Sequence, residues 1–305
     1  GLAVVNKNVI WASGTGGTVI KTVDAGKTWN VMTVPGAEKL DLRDIEAFDA
    51  DTAYVLSIGN GEDSRIYKTT DGGKNWKLIF KNTDEKAFYD AIACKDRSEC
   101  VAVSDPVDGK YRLLSVVSKR ELDAVGLMNA EVPAVTGEAS FAASGTCLIY
   151  AGGSRLFLVT GGTAARVLRS NDMGRTWLSA DAPLKKGTPG SGIFSIAMRD
   201  AKNGIIVGGN YEKPNEATGV AAVTKDGGRT WSSVSGLSGY RSAAVFVKGR
   251  TAVAVGTNGG DISRDGGRTW KPFGTENMNA VAADKSGTVW AVGPRGLVAK
   301  AFIGR

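Results

Sequence analysis

The chain contains 305 residues, with 38 basic and 31 acidic side chains that give a formal net charge of +7, and this length allows one or two domains. It has no histidine, which excludes a Ser-His-Asp triad, a Cys-His pair and any histidine-ligated metal site. The basic residues are scattered and no apolar run is long enough to span a bilayer, so we expect neither a nucleic-acid partner nor a membrane span.

An eight-residue pattern, Ser/Thr-x-Asp-x-Gly-x-Thr/Asn-Trp, recurs along the chain and is called the repeated turn below. Its five copies are TVDAGKTW (22–29), TTDGGKNW (69–76), SNDMGRTW (170–177), TKDGGRTW (224–231) and SRDGGRTW (263–270). A degenerate copy, SVVSKREL (115–122), lies in the double-length gap between the second and third copies. Successive copies are spaced by roughly 40 to 55 residues, which is typical of the blades of a β-propeller.

Each copy follows a short β-branched or apolar run, which predicts a strand before the turn. The aspartate accepts nearby backbone N–H groups, glycine supplies positive φ, and tryptophan buries its ring between neighbouring sheets. Because a chemical site is rarely needed in five copies, we interpret the repeated residues as structural. They are Asp24, Trp29, Asp71, Trp76, Asp172, Trp177, Asp226, Trp231, Asp265 and Trp270.

Four strands per repeat predict an all-β fold, a seven-bladed β-propeller formed by residues 1–305 as one domain. The predicted inner strands are LAVV (2–5), DIEAF (44–48), YDAIAC (89–94), ASFAAS (139–144), IFSIAM (193–198), SAAVFV (242–247) and AVAA (280–283). The third blade has a degenerate turn, and the last blade, which ends in LVAKAFIGR, lacks an outer strand. The best helical candidate is short, at residues 119–128.

The three cysteines indicate in which cellular compartment the protein works. Cys94 and Cys100 flank the short loop KDRSE of a predicted strand–turn–strand, and Cys147 is left over. The first two either form a disulfide across the hairpin or remain free thiols, since cysteines are also common core residues. We favour the disulfide, which implies an exported protein, secreted or periplasmic.

The repeated turn resembles the Asp-box, or BNR repeat, of sialidases, sortilin-type receptors and the photosystem II stability/assembly factor family. The chain is similar above all to the last group and to its bacterial secreted, glycosyl hydrolase-like relatives. The resemblance covers nearly the whole chain. It implies a propeller that docks onto partner proteins through one face, and it is specific for the fold but weak for an activity.

Candidate functional residues gather on one face of such a propeller. Two kinds of loop open on the face opposite the repeated turns: the loop between the second and third strands of a blade, and the connection into each inner strand. The polar loops on this face include residues 152–166. Charged side chains near the axis are costly to desolvate without partners. The predicted ligand-binding cluster comprises Arg43, Glu62, Arg65, Asp105, Asp108, Glu138, Tyr211 and Arg241.

Two functions fit this cluster. The first is a binding or assembly module, a monomer whose pocket takes a protein partner, a carbohydrate or a small anionic ligand; a salt-bridge network between blades is the structural alternative. The second is a glycosidase or sialidase-like hydrolase with Asp105 and Glu138 as acid and base, although the sialidase Arg-Ile-Pro motif is missing. We favour the non-enzymatic module. Asp105 and Asp108 lack further acidic ligands for calcium, so we expect no metal and no cofactor.

Overall fold

The strands are arranged as a ring of seven blades. The computed structural model describes residues 1–119 and 122–303. Each blade is an antiparallel sheet whose strands follow one another in sequence, which confirms the predicted all-β, seven-bladed propeller. The only helical segments among the described residues are two short 3-10 turns, Gly61–Asp63 and Pro294–Gly296.

The first three blades contain four strands each. Blade 1 consists of β1 (Leu2–Val4), β2 (Ile10–Ser13), β3 (Thr18–Thr22) and β4 (Asn30–Thr33). Blade 2 consists of β5 (Asp41–Ala47), β6 (Ala53–Ile58), β7 (Arg65–Thr69) and β8 (Lys77–Lys81). Blade 3 consists of β9 (Tyr89–Asp96), β10 (Glu99–Val107), β11 (Lys110–Lys119) and β12 (Leu122–Leu127).

The remaining blades follow the same order. Two short strands, β13 (Glu138–Ala139) and β16 (Gly161–Gly162), extend the sheet of blade 5. Blade 4 consists of β14 (Leu148–Tyr150), β15 (Leu156–Val159), β17 (Arg166–Ser170) and β18 (Leu178–Asp181). Blade 5 consists of β19 (Ser191–Met198), β20 (Gly204–Asn210), β21 (Ala221–Thr224) and β22 (Ser232–Ser233). Blade 6 consists of β23 (Ala243–Lys248), β24 (Thr251–Gly256), β25 (Gly259–Ser263) and β26 (Lys271–Phe273), and blade 7 of β27 (Ala280–Ala283), β28 (Thr288–Val292) and β29 (Val298–Phe302).

The second strand of each blade forms much of the core. β6 is buried along almost its whole length, whereas the outer strand β4 is mostly exposed. A strand covered on both faces by neighbouring blades requires a continuous run of apolar residues, and AYVLSI in β6 is such a run. The core therefore lies between the blades, where sheet packs against sheet.

The short helical candidate at residues 119–128 forms no helix in its described part, where residues 122–127 are the strand β12. β12 pairs antiparallel with β11 along its whole length, from Lys119 opposite Leu122 to Leu114 opposite Leu127. This ladder gives the backbone groups of a short segment the partners that a lone short helix would leave unmade. The predicted degenerate turn at 115–122 begins inside β11, and its residues 120 and 121 lie outside the described residues.

The predicted inner strand of blade 4, residues 139–144, is also wrong. The inner strand is β14, and the loop predicted at 152–166 contains β15 instead. Residues 140–147, called the plug segment, span the channel: the Phe141 ring stacks on that of Phe194 with centroids 3.8 Å apart. Gly145 has φ of 79° and lies so close to Asp44 that a Cβ would come within 2.1 Å of its carboxylate. Both contacts are tertiary, so an alternating apolar pattern does not reveal them.

Blade 7 has three strands in the described part of the chain, as predicted for the last blade. Packing against blade 1 closes the ring. Trp29 and Trp290 meet edge to face with ring centroids 5.9 Å apart, and Lys300 Nζ lies over the Trp290 ring while donating to the Ala25 carbonyl. An aromatic pair of this kind contributes about 1 kcal/mol beyond the area that it buries.

All five copies of the repeated turn share one hydrogen-bonding pattern, in which the Asn75 amide replaces the threonine hydroxyl in the second copy. In the first copy the Thr22 hydroxyl donates to Asp24 Oδ1 (2.8 Å) and accepts the Gly26 N–H (2.9 Å). The Thr28 N–H and hydroxyl donate to the two carboxylate oxygens of Asp24 at 2.9 and 2.6 Å. These bonds from Thr28 lower the pKa of Asp24 to about 2. The aspartate is fully occupied by its own turn, which agrees with a structural role.

The tryptophan that ends each turn packs towards the preceding blade. Trp76 meets Trp11 of blade 1 edge to face at 6.5 Å, and Trp231 belongs to the same core cluster as Phe157 of blade 4. Trp231 and Trp270 are buried, with 8% and 6% of their surface exposed. The repeated turn thus fixes the spacing between neighbouring sheets.

Candidate functional site

The candidate residues share one face of the ring. Because consecutive strands of a blade are antiparallel, the loop between its second and third strands opens beside the connection into the next inner strand. This is called the mouth face, and the repeated turns lie on the opposite turn face. All eight residues of the predicted cluster lie at the mouth face, but the structure does not bring them together in one pocket.

Glu138 is buried in a complete network. Its carboxylate accepts two bonds from Arg166, at 2.8 and 2.5 Å, together with the Thr160 hydroxyl and the Val135 N–H. The ion pair in turn raises the pKa of Arg166. With all of its acceptors used, Glu138 ties β13 to blade 4, as the structural alternative in the sequence analysis describes.

Arg241 is likewise an internal tie. Its guanidinium is completely buried and donates to Asp261, Asn258 and Ser238 at 2.6, 2.7 and 2.5 Å, and to the backbone carbonyl of Tyr240. Asp261 is also completely buried. A buried charge pair of this kind is stable only when the remaining donors and acceptors of both partners are hydrogen-bonded. Neither side chain is free for a ligand.

Glu62 and Arg65 lie on the outer part of the mouth face. Arg65 donates to the backbone carbonyls of Glu62 (2.6 Å) and Gly36 (3.1 Å), so it joins the second blade to the connection from the first. The Glu62 carboxylate pairs with Lys81 at 2.7 Å, with both side chains exposed. Neither residue lines the cavities described below.

Asp105 and Asp108 do not form a common site. Asp108 sits at positive φ in the tight hairpin between β10 and β11, and its exposed carboxylate pairs with Lys86 at 3.2 Å. Asp105 points inward, where its Oδ1 accepts the Ser140 N–H at 2.7 Å. Burial raises the pKa of Asp105 to about 6, and it also raises that of the neighbouring Asp90.

Arg43 and Tyr211 line a cavity at the end of the channel, called the aromatic cavity. It has a volume of about 280 Å³ and is walled by Phe141, Phe194 and Tyr240. The Phe194 ring meets that of Tyr240 edge to face at 4.8 Å and that of Tyr211 at 6.2 Å. Burial raises the pKa of Tyr240, so its hydroxyl stays protonated. The cavity therefore has apolar walls and a polar, half-exposed rim.

Arg43 is the charged group of this cavity. Its Nε–H donates to Asp41 at 2.7 Å, and its terminal nitrogens make no hydrogen bond within the described part of the chain. The Arg43 side chain is 40% exposed. A second cavity of about 410 Å³, called the rim cavity, adjoins the first and is also lined by Asp41, Arg43 and Arg295. Arg43 thus presents unpaired donors to both cavities.

Three inner strands each contain a β-bulge near the mouth face. A β-bulge displaces Arg43 in β5, Asp90 in β9 and Phe194 in β19 from the regular register with the second strand. Bulges turn one side chain out of the ladder and are common beside functional sites. Sequence analysis missed Asp90 and Phe194, and the bulge in each inner strand leaves no signal in a single sequence.

Asp44 is another mouth residue that the sequence analysis did not single out. It is buried beside the plug segment, and its two oxygens accept the backbone N–H groups of Ile45 and Ile92, each at 2.8 Å. Burial raises its pKa to about 6. By bonding to Ile92, Asp44 links the inner strands of blades 2 and 3, which is a structural task.

The cysteines and the candidate metal ligands also have defined positions. Cys94 and Cys100 are opposite each other in β9 and β10 and are joined by a disulfide of 1.98 Å, while Cys147 is buried as a free thiol. No three His, Cys, Asp or Glu side chains come together as a metal-binding group in residues 1–119 and 122–303. The same residues include no helix that is both long and apolar enough to cross a membrane.

Comparison with known proteins gives structural similarities only. The sequence matches no protein-family model, and no curated protein matches it at a significant level. The chain is similar to a structure described as "YCF48 bound to D1 peptide", at 13% identity over 99% of this chain and 92% of that one, with a TM-score of 0.70. It is also similar to YCF48 from Cyanidioschyzon merolae, at 15% identity over 98% of this chain and 93% of that one, with a TM-score of 0.70. A third similar structure is the WD40 β-propeller domain of Doa1, at 12% identity over 98% of this chain and 90% of that one, with a TM-score of 0.61. At such low identities the likeness shows the fold, a seven-bladed β-propeller.

Proposed function

We propose that this chain is an exported protein-binding propeller that holds a segment of a partner polypeptide in the aromatic cavity at its mouth face. One observation carries the proposal. The half-exposed Arg43 and Tyr211 stand at the rim of a cavity whose walls are three aromatic rings. Exposed arginine and tyrosine around a preformed apolar pocket are the residues that dominate binding energy in protein interfaces.

The cavity defines the chemistry of the segment. Phe141, Phe194 and Tyr240 offer faces and edges that suit an apolar or aromatic side chain. The unpaired terminal nitrogens of Arg43 suit a carboxylate or a backbone carbonyl beside that side chain. We therefore expect the bound segment to carry a bulky apolar residue next to an acceptor such as a carboxylate.

Two further observations support a binding module. One of the structures with the same fold is described as bound to a peptide, which is a property of that protein. The two carboxylates considered for acid–base catalysis lie outside the aromatic cavity. Asp105 is bonded to the plug segment through Ser140, and Glu138 is in an ion pair with Arg166. Neither lines the aromatic cavity or the rim cavity. No observation favours the hydrolase over the module.

The proposal includes two finer assignments. The repeated turns are Asp-boxes, supported by the shared pattern of hydrogen bonds that their aspartates accept, as Asp24 and Asp172 illustrate. Export is supported by the disulfide between Cys94 and Cys100, because disulfides persist in oxidising compartments.

Peptide selection tests the proposal. Peptides are selected from a displayed random library on the purified chain, and the affinity of the best one is measured for the wild type and for Arg43→Ala, Tyr211→Ala and Arg65→Ala. We expect a loss of about tenfold or more in the first two, as for interface hot spots, and less than about twofold in Arg65→Ala, which lies outside the cavity. Selection of no peptide, or equal affinity in all four proteins, would refute the proposal.

A further inference from the structure

The rim cavity contains a second arginine with free donors. Arg295 lines this cavity of about 410 Å³ together with Arg43, and its side chain is exposed. Within residues 1–119 and 122–303 it makes no hydrogen bond and no ion pair. In the same part of the chain, the one acidic side chain that lines the cavity is Asp41, which already accepts from Arg43 Nε at 2.7 Å. The side chains of the rim cavity therefore leave it with an excess of positive charge.

A short, well-anchored loop holds Arg295 at the mouth face. The residue lies in the 3-10 turn Pro294–Gly296, which connects the second and third strands of blade 7. The Gly293 N–H donates to the Leu297 carbonyl at 2.9 Å and closes the loop. A Cβ on Gly293 would come within 2.2 Å of the Asn277 carbonyl, so the loop packs tightly against the connection from blade 6. The guanidinium is thus carried by a rigid support.

The backbone of Arg295 is in a conformation that suits glycine better than arginine. Its φ is 57° and its ψ is 34°, which lies in the left-handed helical region. Glycine adopts this region freely, whereas a Cβ makes it unfavourable. Strained residues of this kind cluster at ligand-binding sites, where the side chain is needed. The turn itself does not require an arginine, so its side chain is the feature that calls for an explanation.

The rim cavity is continuous with the aromatic cavity. Arg43, Ala143 and Asn279 line both of them. A segment that places a bulky side chain in the aromatic cavity therefore reaches the rim cavity with an adjacent group, and this group meets Arg43 first and Arg295 beyond it.

We infer that the rim cavity is the subsite for a carboxylate of the partner segment, held between Arg43 and Arg295. The inference rests on the proposed function and narrows the acceptor beside the apolar residue to an anion. A neutral carbonyl would leave the excess positive charge of the cavity uncompensated, whereas a carboxylate matches the planar donor forks of two guanidinium groups. The carboxylate is that of an aspartate, a glutamate or the C-terminus of the segment. The partner is thus an acidic polypeptide segment.

Variants of Arg295 test the inference with the peptide selected for the proposed function. Affinity is measured for the wild type, Arg295→Gly, Arg295→Glu and Lys39→Glu. We expect a loss of about tenfold in Arg295→Gly, as for a lost hydrogen bond to a charged group, and a larger loss in Arg295→Glu. Lys39 is exposed in the connection into the second blade and lines neither cavity, so Lys39→Glu should cost less than about threefold. The melting temperature of Arg295→Gly should stay within about 2 °C of the wild type, because glycine suits the left-handed backbone.

Neutralising the peptide shows which carboxylate the subsite holds. Each aspartate or glutamate is replaced by its amide, and the C-terminus is amidated in a separate peptide. We expect one of these changes to weaken binding to the wild type by about tenfold and binding to Arg295→Gly much less, since changes to two partners of one contact are not additive. Equal affinity in the wild type and Arg295→Gly, or no effect of neutralising any carboxylate, would overturn the inference. The proposed function would survive that result if Arg43→Ala and Tyr211→Ala still weaken binding, whereas selection of no peptide refutes both.

Discussion

Arg43 and Phe194 occupy the same bulged position in the inner strands of blades 2 and 5, and both side chains line the aromatic cavity. A bulge at this position turns a residue that would otherwise pack between blades towards the axis. One supplies the charge of the cavity and the other its central ring. The mouth of this propeller is thus built by an irregularity of the strands as well as by its loops.

Replacing Arg241 by alanine tests whether this residue stabilises the fold or contacts a ligand. Asp261 would lose its buried counter-charge, so we expect the free energy of unfolding to fall by about 3–5 kcal/mol. Arg43→Ala removes a half-exposed group with one ion pair and should lower it by less than about 1 kcal/mol. Urea denaturation measures both values. Equal losses in the two variants would contradict the assignment of Arg241 as a buried tie.

Glu138 is expected to behave like Arg241. The sequence alone suggests that Glu138→Ala weakens ligand binding with little change in melting temperature. In the structure this substitution leaves Arg166 without its main partner and the Thr160 hydroxyl without an acceptor. We therefore expect a clear fall in melting temperature, measured by differential scanning calorimetry, and unchanged melting would show that the buried network is not formed.

Trp231 tests the structural role of the repeated turn. It is buried against the core of blade 4, so Trp231→Ala should destabilise the fold by about 3–5 kcal/mol, through lost burial and the cavity left behind. Tyr211→Ala, a truncation of an exposed ring, serves as the control and should cost far less. Thermal unfolding followed by circular dichroism compares them. A Trp231→Ala protein that melts like the wild type but no longer binds peptide would show that the turn is functional.

The repeated turns make stability depend on pH in the acid range. Hydrogen bonds from Thr28 and Thr176 lower the pKa values of Asp24 and Asp172 to about 2, below the value of an unfolded aspartate. Such groups stabilise the folded state above the unfolded pKa, and this contribution is lost as the pH falls from about 4 to 2. We expect denaturant midpoints to drop in this window. The Asp172→Asn variant should lose less stability across it than the wild type, and an equal loss would show that Asp172 is not held by its turn.

The disulfide between Cys94 and Cys100 predicts how many cysteine thiols are free to react. Under non-reducing denaturing conditions one thiol, that of Cys147, should react with a thiol reagent, and three should react after reduction. Because the bridge closes a short loop, Cys94→Ser/Cys100→Ser should lower stability by about 2 kcal/mol. Detection of three reactive thiols before reduction in protein isolated from an oxidising compartment would contradict both the bond and the export that it supports.

The repeats explain how much of the fold is predictable. Five copies of one turn, ending in Trp29, Trp76, Trp177, Trp231 and Trp270, give the spacing of the blades without any tertiary information. The seven predicted inner strands give their number, because they add the blade with the degenerate turn and the last blade. The prediction failed in blade 4, where residues 139–144 have a strand-like pattern but residues 140–144 form part of the plug segment. There the stacking of Phe141 on Phe194 outweighs local preference.

The site was less predictable because it depends on partners that are distant in the chain. Charge and position placed Glu138 and Arg241 at the mouth face, but their ion pairs with Arg166 and Asp261 appear only in the folded chain. Asp90 lies in an apolar strand, and only the bulge and the neighbouring Asp105 distinguish it. A single sequence shows which charges are present, and the fold decides which of them remain free.

The crystal structure of the chain with the peptide selected for the highest affinity tests the central claim most directly. We predict a bulky side chain of the peptide between Phe141, Phe194 and Tyr240, with a peptide carboxylate or carbonyl on the terminal nitrogens of Arg43. A peptide bound on the turn face, or along an outer strand with the aromatic cavity empty, would contradict the account.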